Sequence, residues 1–417
     1  MSAPAPTSID AGLAAFFAHH RVIAENPYPL YRRMRQESAV HRFGRYVYLT
    51  RYADIHAALK DTRRFSKVPA PIRVEQVLAE LPPAEAGGFR EVLDYEAAQM
   101  NRKDDPDHAR LRRIAHRAFT PRWVASMEGT IQQITDELLD AVAAAGDADL
   151  ISTFAYPLPL LVIFAMLGVP REHQQDVRAW SATIEEFRDQ EVPDLDRLAA
   201  AVEAYRSFRV MVQELVDLHR DKGRSAELFG TLVDAVGPDG MSKEELVSMF
   251  VLLLFAGHVT TTNLVANGVL ALLGNRATWD RLCDGPKLAD AVVEEALRFD
   301  APVQFNPRTA REDFELHGVD VHAGDTVRLV FGSANRDEAE FADPDRFDVD
   351  RDNNARHLAF GFGPYFCLGA ALARLEGQVA FATLARRFPA LERTGGELEW
   401  RPTGNLRGVA ALPVRLR

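Results

Sequence analysis

The 417-residue sequence predicts a mainly α chain of α+β type, on three observations. Residues 123–225 keep helical apolar spacing, broken only at Gly146, at Pro157 and Pro159, at Gly168-Val169-Pro170 and at Val192-Pro193. Residues 243–273 form one long, mostly apolar stretch without proline. Alternating runs at Gly44–Thr50 and Gly318–Val330 supply the β signal, enough for small sheets beside a helical core.

Composition narrows the function. Hydrophobic residues make up 47% of the chain, which allows a large buried core. A net charge of −11 argues against a nucleic-acid partner, since phosphate binding needs an excess of Lys and Arg, although local basic patches stay open. Only Cys283 and Cys367 occur, so no disulfide framework is expected and a reducing compartment is the natural home. Cys283 reads as a packing residue. Met1–Thr7 has no basic start followed by an apolar run, so neither a signal peptide nor a membrane anchor is expected. The apolar run Phe250–Ala256 is too short to span a bilayer, and the expected location is cytoplasmic.

Taken in order, residues 1–26 are expected to be irregular. The segment from Pro27 has proline in its first turn and helical spacing, and Gly44–Thr50 alternates with Tyr46, Tyr48 and Thr50 on one face. Pro69, Pro71, Pro82, Pro83, Gly87 and Gly88 punctuate residues 67–100, which read as a loop. Asp105–Arg122 opens on an Asp-Pro cap signal and sets His108 and Arg112 four residues apart, on one helical face where two donors can hold an anion. A solvated basic face is the commoner meaning of such a run. Trp180–Ala200 reads as helix-loop-helix, either a lid or a plain surface connection.

The long apolar helix opens with a capping box, Ser242 at the N-cap and Glu245 at N3, and runs to about Leu273. Its middle, Ala256-Gly257-His258-Val259-Thr260-Thr261-Thr262-Asn263, is polar in a helix that must be buried nearly all round. Gly257 removes a side chain, and a threonine hydroxyl can bond a backbone carbonyl and open the helix locally. Either the helix tolerates a few threonines or it makes room for a small diatomic ligand. Further on, Glu295 and Arg298 share a helical face and can pair. Pro302–Arg308 is extended, Ala323-Gly324-Asp325 is the turn between two strands, and Asn405–Gly408 sits in a hairpin.

The most informative stretch is Phe360–Gly369, F-G-F-G-P-Y-F-C-L-G, which leads into a helical pattern from Ala370. Gly361, Gly363 and Pro364 specify a tight loop that lets backbone approach a flat partner, and Cys367 sits where backbone N–H groups can point at sulfur, which favours a thiolate. A lone cysteine is more often an inert packing residue. A Gly-rich loop flanked by aromatics instead suits a thiolate approaching a metal from one side, and an iron porphyrin fits that description.

This stretch resembles the heme-binding loop of the cytochrome P450 family, Phe-Gly-x-Gly-x-(His/Arg)-x-Cys-x-Gly, with Tyr365 where the family usually has His or Arg. The resemblance extends over essentially the whole chain through four motifs in order. It implies one single-domain cytochrome P450 fold over residues 1–417, with heme b (iron protoporphyrin IX) as cofactor and Cys367 as its metal ligand. It places His108, Arg112, Arg308 and His357 on the heme propionates, Gly257 and Phe360 against the ring, and leaves Tyr365 one neutral hydrogen bond. Thr260 matches the alcohol of the oxygen-activating motif Ala/Gly-Gly-x-(Asp/Glu)-Thr, and Val259 stands where that motif has its acid. Water, His258 or a substrate hydroxyl would then supply protons.

The resemblance also implies that His258, Val259, Val303, Gln304, Phe305 and Leu406 line the substrate pocket, with residues 67–100 covering one side and 180–200 as a lid. Glu295 and Arg298 would lock their helix to residues 335–347. The implied activity is monooxygenation with O2, hydroxylating or epoxidising a bulky polyketide- or macrolide-type natural product. Aryl coupling or O-demethylation of an aromatic metabolite, and heme binding without turnover, are the alternatives. No redox domain is fused to the chain, so a ferredoxin and ferredoxin reductase are the expected electron donors, drawn to a basic patch of Arg110, Arg113, Arg117 and Arg122. The expected state is a monomer, with no membrane and no nucleic acid.

Overall fold

The computed structural model describes residues 8–18, 23, 25–69, 78–79, 81–143, 146–188, 195–222, 227–401 and 405–416. It is 62% helical with small sheets, as the sequence predicts. The chain forms two compact units, one made of Met1–Phe65, Val124–Pro159 and His258–Arg417, the other of Ser66–Trp123 and Leu160–Gly257.

The first unit carries the sheets. Strands β1 (Val40–Phe43) and β2 (Tyr46–Leu49) form a hairpin with Phe43 opposite Tyr46. With β3 (Phe65–Ser66), β5 (Asn306–Ala310) and β8 (Thr326–Leu329), they make a sheet of order β1-β2-β8-β5-β3, in which β2 and β8 run parallel and β5 and β8 antiparallel. β4 (Asp147–Asp149), β9 (Glu392–Arg393) and β10 (Pro413–Arg415) form a second sheet, and β6 (Phe314–Leu316) pairs with β7 (Val319–Val321). Residues 318–330 therefore hold two strands that flank the expected turn without pairing to each other: β7 turns back on β6, while β8 is taken by β2 and β5.

Alternation along β2 sorts its side chains as expected. Val47 and Leu49 join an aliphatic core with Ile55, Val327 and Leu329, whereas Tyr46 and Tyr48 join an aromatic one with Tyr28, Tyr31 and Phe305. The Arg328 guanidinium lies 3.8 Å from the Tyr46 ring centre and 4.8 Å from that of Phe305, so the aromatic core encloses a cation. The N-terminal segment departs from expectation. Ile9–Phe17 is a helix because the Ser8 side chain accepts the Ala11 N–H, and Ile9 and Leu13 bury in the aromatic core.

In the second unit, residues 67–100 are less irregular than their prolines suggest. Pro83–Ala97 is a helix with proline in its first turn, where a missing N–H costs nothing, and it packs on the helix Leu195–Lys222 with Tyr95 and Tyr205 stacked 5.1 Å apart. Residues 70–77 and 80 lie outside the described residues. The lid reading of 180–200 is answered only in part: Gln174–Arg188 and Leu195–Lys222 are helices, and 189–194 lie outside the described residues.

The central helix Lys243–Leu273 has 31 residues and starts where the capping box puts it. Ser242 Oγ accepts the Glu245 N–H at 3.0 Å, and Glu245 accepts the Ser242 N–H at 3.0 Å. It is long and apolar enough to cross a bilayer, with mean hydropathy 1.6, contrary to what the short run Phe250–Ala256 suggested. Burial of 78% of that apolar window marks it as a core helix. Within the first unit Gly268 lets it meet the helix Ala370–Arg387, since a methyl group at 268 would collide with the Phe381 ring.

Candidate active site

The helix Ala289–Phe299 holds the frame of the site. Glu295 and Arg298 have fully buried side chains paired at 2.7 Å, and Arg298 also donates to the carbonyls of Asn335 (2.9 Å), Pro344 (2.8 Å) and Arg346 (3.0 Å). Glu295 accepts the Asp348 N–H at 2.8 Å. This is the lock to residues 335–347 that the sequence implies, with every charge hydrogen-bonded. Asn335 passes the constraint onward, its Oδ1 accepting the N–H of Leu358 at 2.7 Å just before the cysteine loop.

In that loop Gly361 and Gly363 take φ of +70° and +71°, which residues with a side chain rarely adopt. The backbone turns at Gly363–Tyr365, and the Cys367 N–H donates to the Phe360 carbonyl at 2.9 Å. Cys367 is exposed, with Phe362 and Phe366 also among the exposed large apolar side chains. Cys283 is half-buried, and burial pushes its thiol up, as suits a packing residue. An accessible sulfur amid accessible aromatic rings fits a flat apolar macrocycle carrying a thiophilic metal.

Around the loop the structure gathers some expected residues and redirects others. The Arg308 guanidinium is buried, lies 5.4 Å from the Tyr365 ring centre and donates to the Pro307 carbonyl at 2.9 Å. His357 is buried with both ring nitrogens turned to protein: Nδ1 accepts the Ala359 N–H at 3.2 Å, and Nε2 faces Glu294 at 3.4 Å. Burial lowers its pKa, and because Nδ1 accepts an N–H the ring proton sits on Nε2, toward Glu294. As placed, it serves Glu294, and a propionate would have to compete for that proton. Glu294 itself went unnoticed in the sequence, because nothing local distinguishes it from a solvated neighbour of Glu295.

On the central helix Val259 is 6% exposed and His258 4% exposed, with the His258 ring edge-on to Tyr156 at 4.2 Å. Thr262 Oγ1 donates to the His258 carbonyl at 3.1 Å, whereas the sequence predicts that backbone contact for Thr260, three residues after Gly257, and Thr260 is half-buried. Val303 and Leu406 pair across an isolated bridge, and both are half-exposed. Gln304 and Phe305 come off the expected pocket lining. Gln304 donates to the Ala301 carbonyl at 2.8 Å, and Phe305 packs in the aromatic core with Tyr28 and Tyr46.

In the second unit, His108 is buried with Nδ1 3.4 Å from Asp105, and burial lowers its pKa. Arg112 follows one turn later on the helix Asp107–Ala118 and is half-buried. Arg110 leaves the expected basic patch: it donates to Glu245 at 2.7 and 3.0 Å and to Asp107 at 3.0 Å. Arg113, Arg117 and Arg122 stay exposed. A Cβ at Gly257 would make only ordinary contact, 3.7 Å from Ile163. A cavity of about 460 Å³ lined by Tyr95, Val216 and Leu246 among others contains none of the residues singled out from the sequence.

Comparison with known proteins decides what this arrangement is. The family model described as "Cytochrome P450" matches residues 286–411. The polyketide biosynthesis cytochrome P450 PksS of Bacillus subtilis (strain 168) is 36% identical over 413 residues, which cover 96% of this chain and 98% of that protein. The chain belongs to the cytochrome P450 family. The solved structure of PksS superposes on this P450 with a TM-score of 0.84, covering 95% of this chain and 98% of that one, at 35% identity. The 6-deoxyerythronolide B hydroxylase of Saccharopolyspora erythraea is 36% identical over 376 residues, 88% of this P450 and 89% of the relative. P450BioI, solved in complex with hexadec-9Z-enoic acid ligated acyl carrier protein, is 33% identical with a TM-score of 0.84, covering 96% of this P450 and all of that chain. The protein is a P450 monooxygenase, its cofactor is heme b, and it acts on a small molecule with O2 and redox partners.

Proposed function

We propose that this P450 hydroxylates or epoxidises a bulky polyketide- or macrolide-type natural product, acting as a monomer with electrons from a ferredoxin and its reductase. The observation that carries the substrate class is Val259. It is a buried aliphatic residue where the oxygen-activating motif has an acid, so the substrate's own hydroxyls are the natural source of a proton path. The printed names of two relatives, a polyketide biosynthesis P450 and a 6-deoxyerythronolide B hydroxylase, support the same class.

Bound through Cys367, heme supplies O2 activation and oxygen insertion. The chain's own residues do the rest. Cys367 would hold the metal from one side, and Arg308, His108 and Arg112 would hold the propionates through charge-assisted hydrogen bonds. The Thr260 hydroxyl would hold a water and pass on a proton at Oγ while taking one up from a substrate hydroxyl through that water, so that it ends unchanged. Val259 can hold none, and His258 is engaged edge-on with Tyr156. Val303 and Leu406 contact the apolar body of the substrate. Exposed Arg113, Arg117 and Arg122 on a protein of net charge −11 offer the acidic electron carrier its docking point.

The test is an optical titration of the ferric holoprotein with macrolactones and, separately, with flat phenolic aromatics. A saturable low-spin to high-spin change with macrolactones alone, followed by a hydroxylated or epoxidised product on reduction, is the expected result. A response confined to the aromatics would overturn the substrate class.

A further inference from the structure

Glu294 and Glu295 are successive carboxylates on one helix, about 100° apart, and they serve different parts of the chain. Glu295 takes Arg298 and the Asp348 N–H. Glu294 takes Arg374 in a two-pronged grip, Nε to Oε1 at 2.5 Å and Nη2 to Oε2 at 3.0 Å, and faces His357 Nε2 at 3.4 Å. These two partners bracket the cysteine loop: His357 is the residue before Leu358, and Arg374 lies in the second turn of the helix that follows Gly369.

Packing explains why the grip can form. Gly377 brings the helix Ala370–Arg387 against Ala289–Phe299 so closely that a Cβ there would sit 2.9 Å from Val293. Val293 precedes Glu294, and Arg374 is one turn before Gly377, so this close approach puts carboxylate and guanidinium within reach. The chain of contacts then runs inward. The Arg374 guanidinium lies 4.7 Å from the centre of the Phe360 ring, and the His357 ring lies 5.7 Å from it on the same residue. The Phe360 carbonyl accepts the N–H of Cys367 at 2.9 Å.

We propose that Glu294 is a positioning residue for the Cys367 ligand: by gripping Arg374 and facing His357 it steadies both ends of the loop, and through Phe360 it sets where Cys367 stands. The inference rests on the heme-thiolate assignment. An ordinary ion pair is the simpler meaning of one Glu–Arg contact. That meaning fails here because the Glu294 side chain is only 15% exposed and meets two partners from opposite ends of one loop. Burial alone would raise the Glu294 carboxyl, yet the Arg374 fork and the His357 ring facing it outweigh that and hold it down to about 2. The loop needs such a clamp, since its two positive-φ glycines leave the backbone permissive on its own.

The experiment compares Glu294→Gln, Arg374→Lys and wild type as full-length holoproteins, with Asp350→Asn as a control that breaks the exposed pair to Arg281. The readouts are the ferrous–CO Soret position, which separates thiolate-ligated from thiolate-free heme, and the rate of heme transfer to an apoglobin. Glu294→Gln is expected to raise the thiolate-free fraction severalfold and to release heme about tenfold faster, as loss of an outer support typically does. Arg374→Lys keeps the charge but not the fork, so a smaller change in the same direction is expected, and it carries the test should Glu294→Gln fail to fold. Wild-type spectra and heme release in both variants, or an equal change in Asp350→Asn, would overturn the proposal. A wild-type protein without a thiolate-ligated band would instead sink the heme-thiolate assignment itself.

Discussion

The guanidinium of Arg308 lies over the ring of Tyr365, 5.4 Å from its centre. The departure of this loop from the family pattern therefore has a local logic. A cation at 365 would repel Arg308, whereas a tyrosine ring attracts it and steadies it toward the carboxylates it is proposed to hold. Removing the ring with Tyr365→Ala should weaken heme retention by about 0.5–2 kcal/mol, while Tyr365→Phe should leave it unchanged. Transfer of heme to an apoglobin measures both, and equal losses in the two variants would show that the phenol hydroxyl, not the ring, is what matters.

The Glu295–Arg298 pair makes a stronger prediction, because its side chains have no exposure to solvent. Arg298→Ala would strand a buried carboxylate and three backbone carbonyls, at a cost of about 3–5 kcal/mol. Urea denaturation of the holoprotein should show an unfolding free energy lower by that amount, or the variant should fail to accumulate as holoprotein. A shift below about 1 kcal/mol would mean that the pair behaves as a surface one.

Val259 is the position to change for the proton path. With Val259→Asp the chain regains an acid beside Thr260, and a substrate analogue lacking its hydroxyls should gain product formed per electron pair consumed. A hydroxyl-rich substrate of the proposed class, which would bring its own hydroxyls, should gain little. No difference between the two substrates would remove the substrate from the proton path. The variant should also lose stability, since Val259 is 6% exposed and an unpaired carboxylate there costs a few kcal/mol unless it stays protonated.

Burial alone raises the Glu376 carboxyl from 4.5 to about 8, and its Oε2 has no hydrogen-bond partner among the described residues. The folded state thus holds a proton that the unfolded chain releases above 4.5. Stability from this group is complete below that pH, falls as pH rises toward 8, and is constant beyond, at about 1.4 kcal/mol for each pH unit of the window. Glu376→Gln should abolish the slope, matching wild type near pH 4.5 and exceeding it at pH 8. Parallel stability–pH curves for the two proteins would contradict this.

What could be read from the sequence was whatever a few neighbouring residues decide by themselves. Ser242 and Glu245 cap the central helix because both partners lie within one turn, and Gly361 and Gly363 bend the cysteine loop because backbone sterics leave little choice. What stayed hidden depends on partners distant in the chain. Arg110 looked available for docking, but its carboxylate is 135 residues away at Glu245. Phe305 looked like pocket lining, yet the aromatic core claims it. Pro82 and Pro83 looked like breakers, and they start a helix because the residues after them have a second helix to pack against.

Gly268 bears on how this enzyme can change. With no side chain at that point, the central helix sits flush against Phe381, and neither a slide nor a roll along the helix Ala370–Arg387 leaves room for both. The stretch around Thr260, proposed to serve oxygen activation, is therefore anchored eight residues away by a contact unconnected with any ligand. Selection for a new substrate, natural or in the laboratory, has to work through replaceable half-exposed side chains such as Val303 and Leu406, and libraries that move the helix itself will return mostly unfolded protein.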